Sequence, residues 1–164
     1  MSELISLTEE QILELHSILG NTDLEVCRES CRLKLRQCLG CCQDGAGLIP
    51  GESDFLKKLQ RKGAIPAELK IWPSLLEGCS DPMKKECPLG DSRPYICKAY
   101  PQVKWGMISR FNHFLIFEPE LRVNCPARGR EGADFRNRVS RANEHLRACL
   151  GMKNEKEILI RRRH

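Results

Sequence analysis

Aromatic side chains are scarce in this chain of 164 residues, which holds two tryptophans, two tyrosines and five phenylalanines. The length suits one ordinary domain with one hydrophobic core. With 30% of its residues charged, that core has few large apolar anchors, so another source of stability is expected. No apolar run approaches the roughly 18 residues that span a bilayer, which predicts no membrane segment. The opening MSELISLTEEQ lacks the basic stretch, unbroken apolar stretch and small-residue cleavage site of a secretory signal. The expectation is a soluble cytoplasmic protein in reducing surroundings. Also missing are a Walker loop, a dinucleotide fingerprint, a GxSxG elbow and an HExxH helix, so no catalytic residue is assigned.

What the chain does have is cysteine. Ten cysteines are too many for incidental core thiols and too few for a small disulfide scaffold. In a reducing compartment, clustered thiols act as metal ligands or redox groups more often than as structural disulfides. They lie mainly in two blocks, CLGCC at 38–42 and CSDPMKKECPLGDSRPYICKAYP at 79–101. A Cys-x-x-Cys spacing lets two sulfurs reach one metal, because the intervening turn aims its amides at them and stabilises their charge. Adjacent side chains diverge, so Cys41 and Cys42 suit two metals better than one. A dinuclear site or cluster therefore competes with two separate zinc sites. The formal charge of +5 counts neutral thiols; seven thiolates with two divalent cations lower it to about +2. The basicity is a weak argument for nucleic acid.

Thr8 followed three residues later by Gln11 is a capping-box spacing, and Ile12, Leu15, Ile18 and Leu19 follow at helical intervals, which predicts a helix within 6–20. Thr22 or Asp23 is placed to cap a second helix running to about Cys38, with Gly40 ending it. On that helix Cys27, Cys31 and Cys38 fall within about 40° of one another, on one face. A loop is expected over 43–51, then a short helix capped by Ser53 and stopped at Gly63. Pro66 suits the first turn of another short helix, ended by Pro73. The stretch 78–101 is irregular, which is reasonable where metal bonds order a loop. Residues 103–123 predict one hairpin with its turn near 110–112. A long polar helix is expected over 134–150 and a further helical turn or two over 155–162. The predicted fold is thus α+β, mostly α: a small single domain, 1–164, of short helices and one β-hairpin organised around metal-bound cysteine loops.

These residues resemble the cysteine-cluster family named for a CxxCxxCC motif, whose members are described as zinc- or iron-chelating. Such proteins show a CGxCC-like element, a later loop cysteine, an element ending C-x-I-Y-x-x-RP-x-x-CR-x-Y/F-P, and a late CPG. CLGCCQ matches the first, and Cys79 stands where the loop cysteine belongs. Cys87 and PLGDSRPYI before Cys97, then KAYP, match the RP element with the same nine-residue gap. Cys125 in NCPARG resembles the late cysteine, with Ala127 in place of glycine. The likeness covers about 27–130, leaving 132–164 as an Arg-rich helical extension. An earlier motif cysteine would fall at Leu35, for which Cys31 or Cys27 stands upstream, and Leu89 and Gly90 replace the Ile-Tyr pair. The resemblance and the spacings together imply Cys38, Cys41, Cys42, Cys79, Cys87, Cys97 and Cys125 as metal ligands, with Cys31 or Cys27, or an open position for water or substrate, as the eighth.

Each of these readings competes with a plainer one. A free cysteine is also a small buried hydrophobe, and Cys27 and Cys31 suit the core face of their helix. His145 and Cys149 share a helical face at four-residue spacing, a possible metal pair, but a polar helix brings such residues together by chance; neither they nor His113 are counted as ligands. Arg93 suits either a donor to thiolate sulfurs or a solvated loop, and Tyr100-Pro101 suits a loop anchor. The arginines at 128, 130, 136, 138, 141, 147 and 161–163 form a potential phosphate stripe, but Glu131, Asp134, Glu144, Glu155 and Glu157 interrupt it, which favours a solvated helix face. Three functions follow. A zinc- or iron-binding cysteine-cluster protein with a structural or redox metal and no assigned catalysis is preferred. The alternatives are an iron–sulfur auxiliary or methylase-like component, since flagellin lysine methylases carry a similar cysteine element, and a zinc-stabilised nucleic-acid adaptor. The expected partner is the metal ion, with no membrane.

Overall fold

The computed structural model describes residues 6–20, 45–79, 88–99, 103–109, 112–117, 132–151 and 157–160. Helix α1 spans Glu9–Leu19 and starts as its sequence predicts. Thr8 Oγ1 accepts from the Gln11 amide at 3.2 Å and Gln11 Oε1 accepts from the Thr8 amide at 3.0 Å, so two amides that a helix start leaves orphaned are satisfied reciprocally. Its buried face is Ile12, Leu15, His16 and Leu19. A Thr8→Ala variant is expected to lose about 1 kcal/mol of stability, read from the urea midpoint. An unchanged midpoint would mean that the cap contributes nothing.

Strand β1 is the two-residue Ala46–Gly47, within the stretch expected to be loop. Helix α2 then runs Glu52–Arg61, and Ser53 is not its cap. Gly51 precedes it in the left-handed region at φ +94°, while Ser53 is buried inside the first turn. Gly51 is required because the chain doubles back there against Leu7, whose amide donates to the Pro50 carbonyl at 3.0 Å.

No helix forms between Pro66 and Pro73. Gln60 Nε2 instead donates to the carbonyls of Pro66, Ala67 and Leu69 at 3.1, 3.2 and 2.9 Å, holding a turn that leads into β2, Lys70–Ile71. Trp72 N donates to the Leu75 carbonyl across Pro73 and Ser74 at 2.8 Å, so Pro73 sits in a tight turn that opens β3, Leu75–Glu77. The three strands form an antiparallel sheet in the order β1-β3-β2, with Ala46 opposite Leu76 and Lys70 opposite Glu77.

Within the stretch expected to be irregular, residues 88–99 are ordered by a 3₁₀ turn, Gly90–Ser92, and by a one-turn helix α3, Tyr95–Ala99, whose five residues are all buried. The predicted hairpin is present as β4, Val103–Ser109, and β5, Asn112–Phe117, with Val103 opposite Phe117 and Ser109 opposite Asn112. A further strand joins it: Glu157–Ile160, expected to be helical, is β6, with Phe114 opposite Ile160. Three apolar residues after Glu157 are too few to reveal a periodicity, and pairing along the free edge of β5 decides the conformation.

Helix α4 runs Gly132–Leu150 against α1. Its buried Val139, Ala142, Leu146 and Leu150 recur at intervals of three or four and share one core with Ile12, Leu15, Leu19, Leu48, Leu56, Tyr95 and Ile96. The fold is thus α+β with helix predominating, as predicted, but among the described residues it contains two three-stranded antiparallel sheets rather than one hairpin.

Candidate metal centre

The eight predicted ligands divide into two groups. Cys31, Cys38, Cys41, Cys42, Cys87 and Cys125 lie outside the described residues, as does Cys27. Cys79 and Cys97 are described, and both are thiols rather than disulfides. Cys79 follows β3, is half-buried and packs against the margin of the core; Cys97 is only 8% exposed and belongs to the core itself. Among the described residues, no three His, Cys, Asp or Glu side chains are grouped to hold a metal ion.

Cys97 is held with little freedom. The Pro94 carbonyl accepts from the amides of Cys97 and Lys98 at 3.0 and 3.1 Å, which closes the turn that follows Arg93-Pro94. The first amide of α3, Tyr95 N, donates to Glu52 Oε2 at 2.8 Å. Glu52 is fully buried. Its other oxygen accepts from Ile49 N at 3.2 Å, and His16 presents Nε2 to Oε2 at 3.2 Å. A carboxylate only accepts, so His16 carries a proton on Nε2 in this contact. The imidazole is further steered by an edge-on contact with Phe55, ring centroids 6.0 Å apart. One carboxylate therefore ties together α1, the turn after β1, α2 and α3.

Tyr95 extends this network. Its hydroxyl donates to Asn143 Oδ1 of α4, and the phenol is completely buried. Burial first, and then the Glu52 charge, raise its pKa well above the ordinary phenol value, against the opposing pull of Arg147. The ring stays protonated and remains a donor. Near Cys97 in the sequence stand two buried basic residues, Arg93 and Lys98, each 4% exposed. Burial, followed by the Arg93 charge, lowers the Lys98 pKa, while Asp91 and Glu52 act to hold it up. Charged side chains are rarely buried without paired or hydrogen-bonded surroundings, which makes the neighbourhood of Cys97 electrostatically unusual.

Sequence reasoning reached Cys97 and Arg93 but missed His16, Glu52, Lys98 and Asn143. Nothing in the sequence sets Glu52 apart from the other carboxylates. His16 did offer a signal, since it stands next to Leu15 on the apolar side of α1.

The arginines of α4 are likewise partly engaged within the chain. Arg138 Nη1 donates to the Leu19 carbonyl at 2.7 Å, closing the C-terminus of α1, and Arg147 is close enough to act on the Tyr95 phenol. Arg136 and Arg141 are exposed. No helix among the described residues is long and apolar enough to cross a membrane.

Comparison with protein-family models, with curated proteins and with solved structures finds no match.

Proposed function

We propose that this chain is a zinc- or iron-binding cysteine-cluster protein of a reducing compartment, with Cys38, Cys41, Cys42, Cys79, Cys87, Cys97 and Cys125 as thiolate ligands and Cys31 as the eighth. The cysteine loops are organised by the metal, whose affinity then contributes to folding. The observation that carries this reading is the setting of Cys97. It sits on a one-turn helix pinned at its first amide by Glu52, at the end of the Cys-x₉-Cys element that begins at Cys87. A rigid backbone pre-orients a ligand. When bound, the metal supplies cross-links between the segments that carry its ligands, or a one-electron centre if it is an iron–sulfur cluster.

The burial of Cys97 also suits a core thiol, so the test must separate the two. Anaerobically purified protein is expected to contain stoichiometric zinc or iron by elemental analysis, with a brown chromophore if the metal is an iron–sulfur cluster. Cys41→Ser and Cys97→Ser are expected to lose metal and to unfold at lower temperature. Full metal content and undiminished stability in both variants would overturn the ligand assignment. Loss of stability alone in Cys97→Ser would make that residue a packing thiol.

A further inference from the structure

We propose that Asn143 of α4 is a positioning residue for Cys97, acting through Tyr95. The proposal rests on the reading of Cys97 as a metal ligand, and its test separates the two.

Helix α3 is a single turn, Tyr95–Ala99, and so short a helix is not stable by its own backbone hydrogen bonds. Two tethers from different elements place it. Glu52 of α2 accepts from the Tyr95 amide at 2.8 Å, and Asn143 Oδ1 of α4 accepts from the Tyr95 hydroxyl. The first tether alone is a pivot about which the turn can swivel. The second grips the far end of the same residue's side chain and removes that freedom. Cys97 lies two residues on, about 200° around the helix from Tyr95, so a swing of the phenol off Asn143 carries the thiol the opposite way.

Packing by itself does not ask for this hydrogen bond. Tyr95 and Asn143 are both fully buried, and Tyr95 belongs to a core with Ile12, Leu15, Val139, Ala142 and Leu146, where a phenylalanine ring would fill nearly the same space. Asn143 also carries a penalty, because its Nδ2 is buried and makes no hydrogen bond. A buried donor without a partner has lost its hydration for nothing, whereas an apolar pair of similar shape in place of both groups is close to neutral for folding. For stability, then, the pair offers little that leucine and phenylalanine would not. What it adds is direction. Apolar contact is non-directional, while a hydrogen bond holds its donor and acceptor along one line. A ligand already held in its bound orientation gives up less freedom on binding, so it binds more tightly.

The test is a double-mutant cycle on the whole protein, purified anaerobically with its native metal. Metal loss to excess EDTA is timed by elemental analysis of the protein. The paired exchange Tyr95→Phe with Asn143→Leu is made in the parent and in Cys97→Ser. In the parent it is expected to speed metal loss about tenfold or more, and in Cys97→Ser by less than about twofold, since no thiol is left to position. A purely structural pair would have the same effect in both backgrounds. Equal fold-changes in the two, or no acceleration in the parent, would overturn the proposal while leaving Cys97 a ligand. Metal loss from Cys97→Ser at the parent's rate, or a protein purified without metal, would overturn the ligand reading and the proposal with it. Circular dichroism confirms that each variant is folded, and Tyr95→Phe alone, which removes only the hydroxyl, takes the place of the paired exchange if that does not fold.

Discussion

Glu52→Ala is expected to destabilise the protein by about 3–5 kcal/mol, the largest effect of any single polar substitution among the described residues. The carboxylate is fully buried and serves three partners: Ile49 N, Tyr95 N and His16 Nε2. Removing it strands two backbone amides and an imidazole N–H away from water, and each unsatisfied group carries its desolvation cost. Glu52→Gln is the informative companion. Its carbonyl oxygen can still accept, but its NH₂ would meet donors, so about half the loss is expected to remain. Urea unfolding of both variants checks the prediction. An alanine variant within about 1 kcal/mol of the parent would show that water replaces the carboxylate and that the network is not needed to hold α3.

Gly51→Ala is the second large effect, and here the backbone rather than a side chain is at stake. A Cβ on Gly51 would lie 2.3 Å from the Leu7 carbonyl oxygen and 3.0 Å from its nitrogen. Both are main-chain atoms, so no flexible side chain can yield. The residue also sits at φ +94°, where a non-glycine is strained by about 1–3 kcal/mol. Gly63 provides an internal control: it has φ +73°, and a methyl added there would meet nothing within 4 Å. Gly63→Ala should lose about 1 kcal/mol from the backbone alone, and Gly51→Ala several-fold more. Equal melting temperatures for the two variants would mean that the 6–7 segment simply lifts away from the Gly51 turn.

Reading these elements from sequence succeeded where the information is local. Thr8 and Gln11 are three residues apart in a helix start, and their two hydrogen bonds need nothing from the rest of the chain. The long helix ending at Leu150 and the hairpin over 103–117 were legible for the same reason: periodicity and turn spacing are carried within the segment itself. The failures share a different cause. Pro66 to Pro73 carries helix-compatible signals, but the Gln60 side chain captures the local carbonyls and β3 supplies a partner for β2. Residues 157–160 become a strand because β5 offers an unpaired edge. Neither circumstance can be read from the segment concerned.

The candidate sites divide along the same line. The chain's own residues determined which atoms are available for metal chemistry: ten cysteines, with their Cys-x-x-Cys and nine-residue spacings. Spacing along the chain is a covalent property, so it needs no fold to be seen. Tertiary structure alone decided that Glu52 of α2 pins the helix bearing Cys97 and that Asn143 of α4 takes the Tyr95 proton donor. These partners are separated by tens of residues, and a carboxylate binds whatever donor packing delivers to it; the sequence names the carboxylates, and the burial of the apolar faces of α1, α2 and α4 chooses which of them meet.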